Sequence, residues 1–378
     1  MPAAKIAFWS ASALIVYTHA GYPLLLAGIA RARGTRARNS PQPAEPPSVA
    51  LIVAAHDEQA VIERWVDAAL ALDYPRERLQ VVVACDGCTD ATAALARKAG
   101  ADHVLELERG GKDAALNAAV DATESDIVAF SDANAIWSPD ALSHLAERLV
   151  DPSVGYVCGQ VRFEAVKGAT NQEGLYWRYE MALRSLESDL AGVTAGNGAI
   201  NAVRRKAYIR LDAERGGQDI CFPFELTKRG WRAEYEERAV ATELMTPTVE
   251  DEFRRKRRMM KSIWNTILGT SLLDPRGYSP MYALEIYSHR LLRYATPMLH
   301  VAALAANVAA LRSGRIYRLA FATHAAFASS VAAGGPGSPR PLLLARYYAA
   351  VTASSALGLW DLLRQGASAT WDQAEGTR

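Results

Sequence analysis

Apolar and polar positions follow two different rhythms along this chain. At the ends the apolar runs are long. Ile6–Ala30 is 25 residues whose only acidic or basic side chain is His19, more than the roughly 20 a helix needs to span a bilayer. Arg31, Arg33, Arg36 and Arg38 follow directly, so residues 1–30 read as an amino-terminal transmembrane helix with everything after it on the cytoplasmic side. The run is too long for a signal-peptide core, and no small-x-small site precedes the arginines. Tyr294–Leu311 carries only His300 and is a second span; Leu319–Ala333 and Leu342–Leu363, the latter with Arg346 and Asp361, are weaker. Residues 291–364 therefore read as a membrane region of one to three spans, residues 274–290 as an interfacial segment and 365–378 as a polar tail. Residues 31–47, basic and then Pro-rich, read as a linker.

Between residues 48 and 273 the rhythm shortens. Val49–Ala54, Gln80–Ala84, His103–Leu105 and Ile127–Phe130 are short apolar runs that predict strands. Glu58–Leu72, Ala91–Ala99, Lys112–Ala122 and Pro139–Val150 predict the helices between them. Buried strands separated by helices imply an α/β fold, a mostly parallel sheet covered on both faces. In such sheets ligands bind beyond the carboxyl ends of the strands.

The charged residues gather there. His56-Asp57-Glu58 follows the first run, Asp86-Gly87 and Asp90 the second, and Asp132-Ala133-Asn134 the fourth. A carboxylate and a carboxamide two residues apart can both reach a hard divalent cation, which in turn can hold a diphosphate. The same residues also suit an Asx turn or a helix cap. No phosphate loop and no G-x-G-x-x-G opens the first helix, which removes the usual ATPase and dinucleotide signatures. With a formal net charge of +1, no global basic field argues for nucleic acid, and the run Arg254–Arg258 alone does not carry that claim. Four cysteines are too few for a disulfide framework. Cys85-Asp86-Gly87-Cys88 lacks the second ligand pair of a zinc site, so reduced thiols are expected.

Several stretches, taken in order, resemble the catalytic domain of family 2 glycosyltransferases, the inverting, membrane-associated enzymes of the GT-A fold. They are Ala54-Ala55-His56-Asp57-Glu58, Tyr74-Pro75, Val83–Asp90, Gly110-Gly111-Lys112 with Ala115-Leu116-Asn117, Ser131–Asn134, Gly196–Ala199, and Gln218-Asp219 with Leu226 and Arg229-Gly230-Trp231. The resemblance covers about Val49 to Leu268 and implies a GT-A domain over residues 48–273.

The resemblance also implies roles. Asp57, Glu58, Asp86 and Lys112 would bind the donor, Asp86 through its base or ribose and Lys112 near a phosphate. A turn at Asp86-Gly87 or a solvated Gly110-Gly111-Lys112 is the plainer reading of the residues alone. Asp132 and Asn134 match the family's D-x-D motif for Mg²⁺ or Mn²⁺, with a neutral amide in place of the second acid. Asp219 matches the general base, although helical residues follow and a helix cap is open to it; Gln218 replaces the family's usual Glu. Arg255 and Arg258 occupy the place of the Q-x-x-R-W motif, with Arg258 facing the departing diphosphate. The missing Gln and Trp count against a long-chain polymerase. Gly196, Asn197, Gly198 and Trp177 fall on the acceptor side, where Trp177 is open to sugar stacking or to plain core packing. The remaining basic residues, Arg254, Lys256, Arg257 and Lys261, read as a solvated helix face near lipid headgroups.

The expected activity is transfer of a sugar from a nucleotide-diphosphate donor, UDP-linked, to a lipid or lipid-linked acceptor at the cytoplasmic face of the inner membrane, the protein being multi-pass. A processive synthase that extrudes its polymer and a silent binding protein of the same fold are the alternatives. The second would be expected to lose Asp86, Asp132 or Asp219, and all three are present.

Overall fold

A computed structural model describes residues 2–34, 45–164, 173–210, 217–244, 249–335 and 337–366. Much of the expected linker (35–44) and nearly all of the polar tail (367–378) lie outside the described residues.

The elements run α1 (Pro2–Val16), α2 (Tyr22–Arg33), β1 (Val49–Ala55), α3 (Ile62–Leu70), β2 (Leu79–Asp86), α4 (Thr92–Lys98), β3 (His103–Leu107), α5 (Lys112–Asp121), β4 (Ile127–Ser131), β5 (Ile136–Trp137) and α6 (Ala141–Arg148). There follow β6 (Val154–Glu164), α7 (Glu173–Leu190), β7 (Asn201–Arg204), α8 (Gln218–Lys228), β8 (Arg232–Leu244), α9 (Val249–Gly269), α10 (Pro280–Glu285), α11 (Thr296–Ala310), α12 (Arg315–Ala333) and α13 (Arg340–Gln365). A π-helical turn, Tyr17–Gly21, joins α1 to α2, and another, Ile286–Leu292, follows α10.

The four expected strands form, each a residue or more longer than its apolar run, and the expected helices form shorter. The α3 helix starts at Ile62 rather than Glu58, because the Glu58 carbonyl accepts the amides of Val61 and Ile62 at 3.0 Å in a preceding turn. Likewise α6 begins at Ala141, whose amide closes on the Ser138 carbonyl at 3.0 Å.

The strands build one eight-stranded sheet in the order β3-β2-β1-β4-β7-β6-β8-β5. Its first half is parallel as expected, β1 pairing with β2 and β4. The second half is mixed: β7 runs antiparallel to β4 and β6, β6 runs parallel to β8, and β5 is antiparallel to β8. The α/β expectation holds with a mixed sheet. Side chains alternate across it with the period of a pleated strand. Val49, Leu51 and Val53 pack with Trp65 of α3 and Leu142 of α6, while Ala50, Ile52 and Ala54 pack with Leu116 of α5 and Phe222 of α8. The strand order turns back between β1 and β4, with β2 and β3 laid down on one side and β4 on the other, so the carboxyl ends of β1 and β4 flank the crevice where such sheets bind ligands.

At the ends of the chain, Pro2–Arg33 and Arg340–Gln365 are long and apolar enough to cross a membrane. Pro280–Leu292 and Thr296–Ser313 qualify only together, bent by 64° at their junction. The α12 helix does not qualify. The expected interfacial segment is in part a packed one, since Glu285, Ser288, His289 and Arg290 are all buried.

Of the basic residues expected to form a solvated face of α9, Arg254 is exposed, whereas Lys256, Arg257 and Lys261 find partners within the protein. Arg257 binds both carboxylate oxygens of Asp361 on α13 at 2.6 and 2.7 Å. Lys261 donates to Gln365 at 3.2 Å, and the Trp264 indole donates to the Ser355 carbonyl at 3.0 Å. Opposite charges and an apolar seam dock this helix onto α13.

Candidate active site

Three strand ends set the site. At the end of β2, Asp86 is fully buried. Its carboxylate accepts the Gly110 amide at 2.7 Å and the Gly111 amide at 3.0 Å, and pairs with Arg109 at 3.0 Å. A buried carboxylate must find such donors, and it thereby holds the Gly-rich turn against the strand. Gly87, with φ +62°, makes that possible: a Cβ there would stand 2.9 Å from Cβ of Arg109. Arg109 carries no motif and escapes sequence reading; an arginine directly before Gly-Gly was its only signal.

Beyond β1, Asp57 adopts a left-handed φ of 53°. Its carboxylate accepts the Thr89 amide at 2.7 Å; this bond, then the Thr89 hydroxyl and His56, hold its pKa below the usual range against a small desolvation. Glu58 is buried, and its amide donates to the Thr92 hydroxyl at 2.8 Å. Ligand atoms of Asp57, Cys88 and Asp90 lie within 4.8 Å of one another, but the two carboxylates already accept amides of Thr89, Gln59 and Thr92. They close the turns of this rim.

The third strand end carries Asp132, one residue past β4. Lys112, the first residue of α5 after Gly111, reaches its Oδ1 at 2.5 Å. Burial, the largest influence on the ammonium, opposes its charge, but the carboxylates of Asp132, Asp219 and Asp113 outweigh burial and raise its pKa. Gly198 abuts the same pair: a Cβ there would meet Asp132 Oδ2 at 3.2 Å and Lys112 Nζ at 3.4 Å. Asp219 sits in the first turn of α8, and its backbone carbonyl accepts the Gly196 amide at 2.6 Å. Desolvation raises the Asp219 carboxyl pKa; Lys112 pulls it down and Asp132 pushes it up again. The structure thus assembles Lys112, Asp132, Gly196, Gly198 and Asp219 from four separate stretches of chain.

Asp132, Gly196, Asn197, Gly198 and Asp219 border a cavity of about 570 Å³. Its walls continue over Arg255, Lys256, Met259, Met260 and Ile263 of α9 and reach Leu344, Tyr347, Tyr348 and Val351 of α13. Asp57, Asp86 and Arg109 lie off this wall, so the Asp132–Lys112 pair separates two spaces: a rim of strand ends and a largely apolar cavity. Asn197 itself is spent on structure, donating to the Gly159 carbonyl at 2.8 Å and accepting the Ile200 amide at 2.9 Å.

Asn134 turns away from the cavity and lines a small pocket with Arg64, Glu164 and Glu243; Glu243 borders both spaces. Arg255 and Lys256 share the buried Glu252, at 2.9 and 2.8 Å. Burial opposes ionisation of that carboxyl, yet Lys256 and Arg255 bring its pKa down to about 2. Arg258 is exposed and off the cavity wall. Trp177 belongs to α7, with its side chain outside the described residues. For a divalent ion Asp132 offers hard oxygens, and the Lys112 ammonium on it marks a place where positive charge is already held; Asn134 would have to turn out of its own pocket to add a second oxygen.

The pattern "Glycosyltransferase like family 2" matches residues 46–262, more than half of the chain. A β-monoglucosyldiacylglycerol synthase of Synechocystis sp. is 34% identical over 200 residues, 48% of this chain and 40% of that protein. An N-acetylglucosaminyltransferase of Rhizobium meliloti is 29% identical over 262 residues, 63% of this chain and 61% of that protein. The chain thus spans less than two thirds of the length of these relatives. A mannosyltransferase from Pyrobaculum calidifontis, solved with GDP-Man and Mn²⁺, superposes over 94% of this chain and 98% of its own, with a TM-score of 0.72 and 24% identity. Fold and sequence agree: this chain is a GT-A member of glycosyltransferase family 2.

Proposed function

We propose that the protein is a membrane-bound inverting transferase that moves a sugar from a UDP-sugar to a hydroxyl of a lipid or lipid-linked acceptor, in glycolipid or exopolysaccharide synthesis. The observation that carries this reading is the cavity that starts at Asp132 and Asp219 and ends on α13, a helix apolar enough to span a bilayer. A hydroxyl held at the polar end would leave its chain in the apolar end. The relatives named for glucosyldiacylglycerol and N-acetylglucosamine transfer point the same way.

In this reading the donor occupies the strand-end rim, with its base side at Asp57, Glu58 and Asp86 and its diphosphate near Lys112. Mg²⁺ or Mn²⁺, held by Asp132 and Asn134, would neutralise diphosphate charge. Asp219 removes the acceptor proton as the acceptor oxygen bonds to the anomeric carbon. The bond from that carbon to the diphosphate breaks on the opposite face, and the nucleoside diphosphate leaves with the electron pair. Partial burial suits the base, because a carboxyl whose pKa lies above the usual range is a better proton acceptor. Lys112 and Arg255 offer positive charge for the diphosphate as it departs.

The test is donor turnover by the purified protein across a panel of nucleotide sugars, with and without Mn²⁺. One metal-dependent donor, and loss of its binding in Asp132→Ala, is the expected result. No turnover of any donor, together with unchanged donor binding by Asp132→Ala, would overturn the reading.

A further inference from the structure

We propose that Thr194 and Glu187 are positioning residues through which the helices packed beneath the sheet domain fix the acceptor side of the active site. The proposal rests on the transferase reading above. Residues 191–200 join α7 to β7 and carry Gly196, Asn197 and Gly198, which border the cavity. The sheet holds this loop through the Asn197 side-chain amide on the Gly159 carbonyl and the Val193 amide on the Ala233 carbonyl, and buried polar side chains hold its first half from the other side.

The Thr194 hydroxyl is fully buried. It donates to Glu187 Oε2 at 3.0 Å and accepts from Nε of Arg290 at 2.8 Å. The other oxygen of Glu187 accepts the Tyr22 hydroxyl of α2 at 2.7 Å and lies 2.7 Å from Nδ1 of His289. One residue earlier, the Val193 carbonyl accepts the Tyr282 hydroxyl of α10 at 3.0 Å. Two residues later, the Gly196 carbonyl accepts from Arg184 of α7 at 3.1 Å. The α7 helix, α10 and the π-helical turn after it thus hold three of four consecutive loop residues, and α2 joins them through Glu187.

The loop passes this constraint on. The Gly196 amide donates to the Asp219 backbone carbonyl, and Gly198 stands against the Asp132 carboxylate. A shift at Thr194 therefore moves the gap between Gly198, Asp132 and Asp219, where an acceptor hydroxyl must enter. Neither Thr194 nor Glu187 borders the cavity, so neither can act by touching the acceptor. Buried charge without a compensating role is costly, and a buried Glu with Arg and His around it is a poor choice for stability alone. Its hydrogen bonds run to the loop and to α2.

The experiment uses the full chain in detergent. Thr194→Val keeps the shape and removes the hydroxyl; Thr194→Ser keeps the hydroxyl. With radiolabelled UDP-sugar as donor and a bacterial lipid extract in mixed micelles as acceptor, Thr194→Val should raise the apparent KM for lipid about tenfold, the worth of one or two buried hydrogen bonds. Its donor dissociation constant should stay within about twofold, about 0.4 kcal/mol. Glu187→Gln should act in the same direction, and Thr194→Ser should restore the wild-type KM. Hydrogen exchange of the Val193 and Gly196 amides should be faster in Thr194→Val and normal in Thr194→Ser.

An unchanged lipid KM in Thr194→Val would overturn the proposal, as would a donor constant that rises in step with it, since that is a general loss of structure. If the wild type transfers nothing to lipid, the functional reading fails, and the exchange rates decide the clamp by themselves. Equal exchange in wild type and Thr194→Val would overturn it there.

Discussion

Gly196 and Gly198 stand two residues apart on the cavity wall, yet an added methyl at each should do opposite things. At Gly198 the new Cβ would lie 3.2 and 3.4 Å from the Asp132 carboxylate oxygens and 3.4 Å from Lys112 Nζ. Those side chains are 34% and 28% exposed, so they can yield by the few tenths of an ångström required. Disturbing a partly exposed ion pair costs up to about 1 kcal/mol, and the stiffer unfolded chain of Gly198→Ala returns about 0.4–1 kcal/mol. Stability should barely change. The carboxylate that moves is central to the proposed chemistry, where a displacement of that order lowers the rate about tenfold to a hundredfold.

At Gly196 the Cβ would fall 1.7 Å from the Tyr156 hydroxyl oxygen. Ordinary contact begins at 3.4 Å, so the deficit is 3.4 − 1.7 = 1.7 Å. Tyr156 is fully buried and packs against Phe222 at 6.1 Å between ring centres, so it has nowhere to go. Overpacking of that size costs at least about 3 kcal/mol. Thermal melting of both purified variants, beside a radiolabel transfer assay, separates the two outcomes. Gly198→Ala should melt within about 3 °C of wild type and transfer slowly; Gly196→Ala should be recovered poorly or melt many degrees lower. Wild-type melting of Gly196→Ala, or wild-type transfer by Gly198→Ala, would refute the reasoning.

Three further outcomes follow from the same geometry. Asp219→Asn should fold normally and lose about a hundredfold or more in kcat, the usual worth of a general base, as measured by donor turnover with saturating acceptor. Asp86→Asn replaces the charged acceptor of the Gly110 and Gly111 amides, so donor affinity measured by calorimetry should weaken about tenfold, close to the difference between a charged and a neutral hydrogen-bond partner. Burial opposes charge on Glu236, but Arg238 and Arg148 overcome it and set its pKa at about 2. A carboxyl held lower in the folded than in the unfolded state adds stability that is full above the unfolded pKa and disappears as pH falls toward the folded one. Denaturant midpoints should therefore drop between about pH 4.5 and about pH 2, from the ordinary Glu value to the depressed one, and Glu236→Gln should flatten that part of the profile.

Three strands of the first half, β1, β2 and β4, could be read from the sequence because they are buried on both faces and written almost wholly in apolar residues. The second half could not. β6 carries Arg162 and Glu164, and β8 carries Arg232, Glu234, Glu236 and Glu237, so neither looks like a strand of a covered sheet. Some of those charges find partners far along the chain, Glu236 in Arg148 and Arg232 in Asp151. The site divides in the same way. Asp86, Lys112, Asp132 and Asp219 stand in short motifs whose local geometry is self-contained. The contacts of Glu187 span 102 residues to His289 and 165 to Tyr22, and no spacing rule reaches that far. Arg258 stands at the arginine of the Q-x-x-R-W place by spacing alone, whereas the helix turns Arg255 and Lys256 toward the cavity.

The docking of α9 on α13 has a consequence for how the protein is made. Arg257 waits 104 residues for Asp361, about ten seconds of synthesis at common elongation rates. Over that interval Met260, Trp264 and the basic face of α9 have no α13 to cover them. The sheet and the residues that would grip a donor can already be folded, while the apolar wall of the cavity does not yet exist. Under the proposed function, a nascent chain in this state could hold a nucleotide sugar, but the apolar wall for a lipid acceptor would form only once α13 packs beside α9.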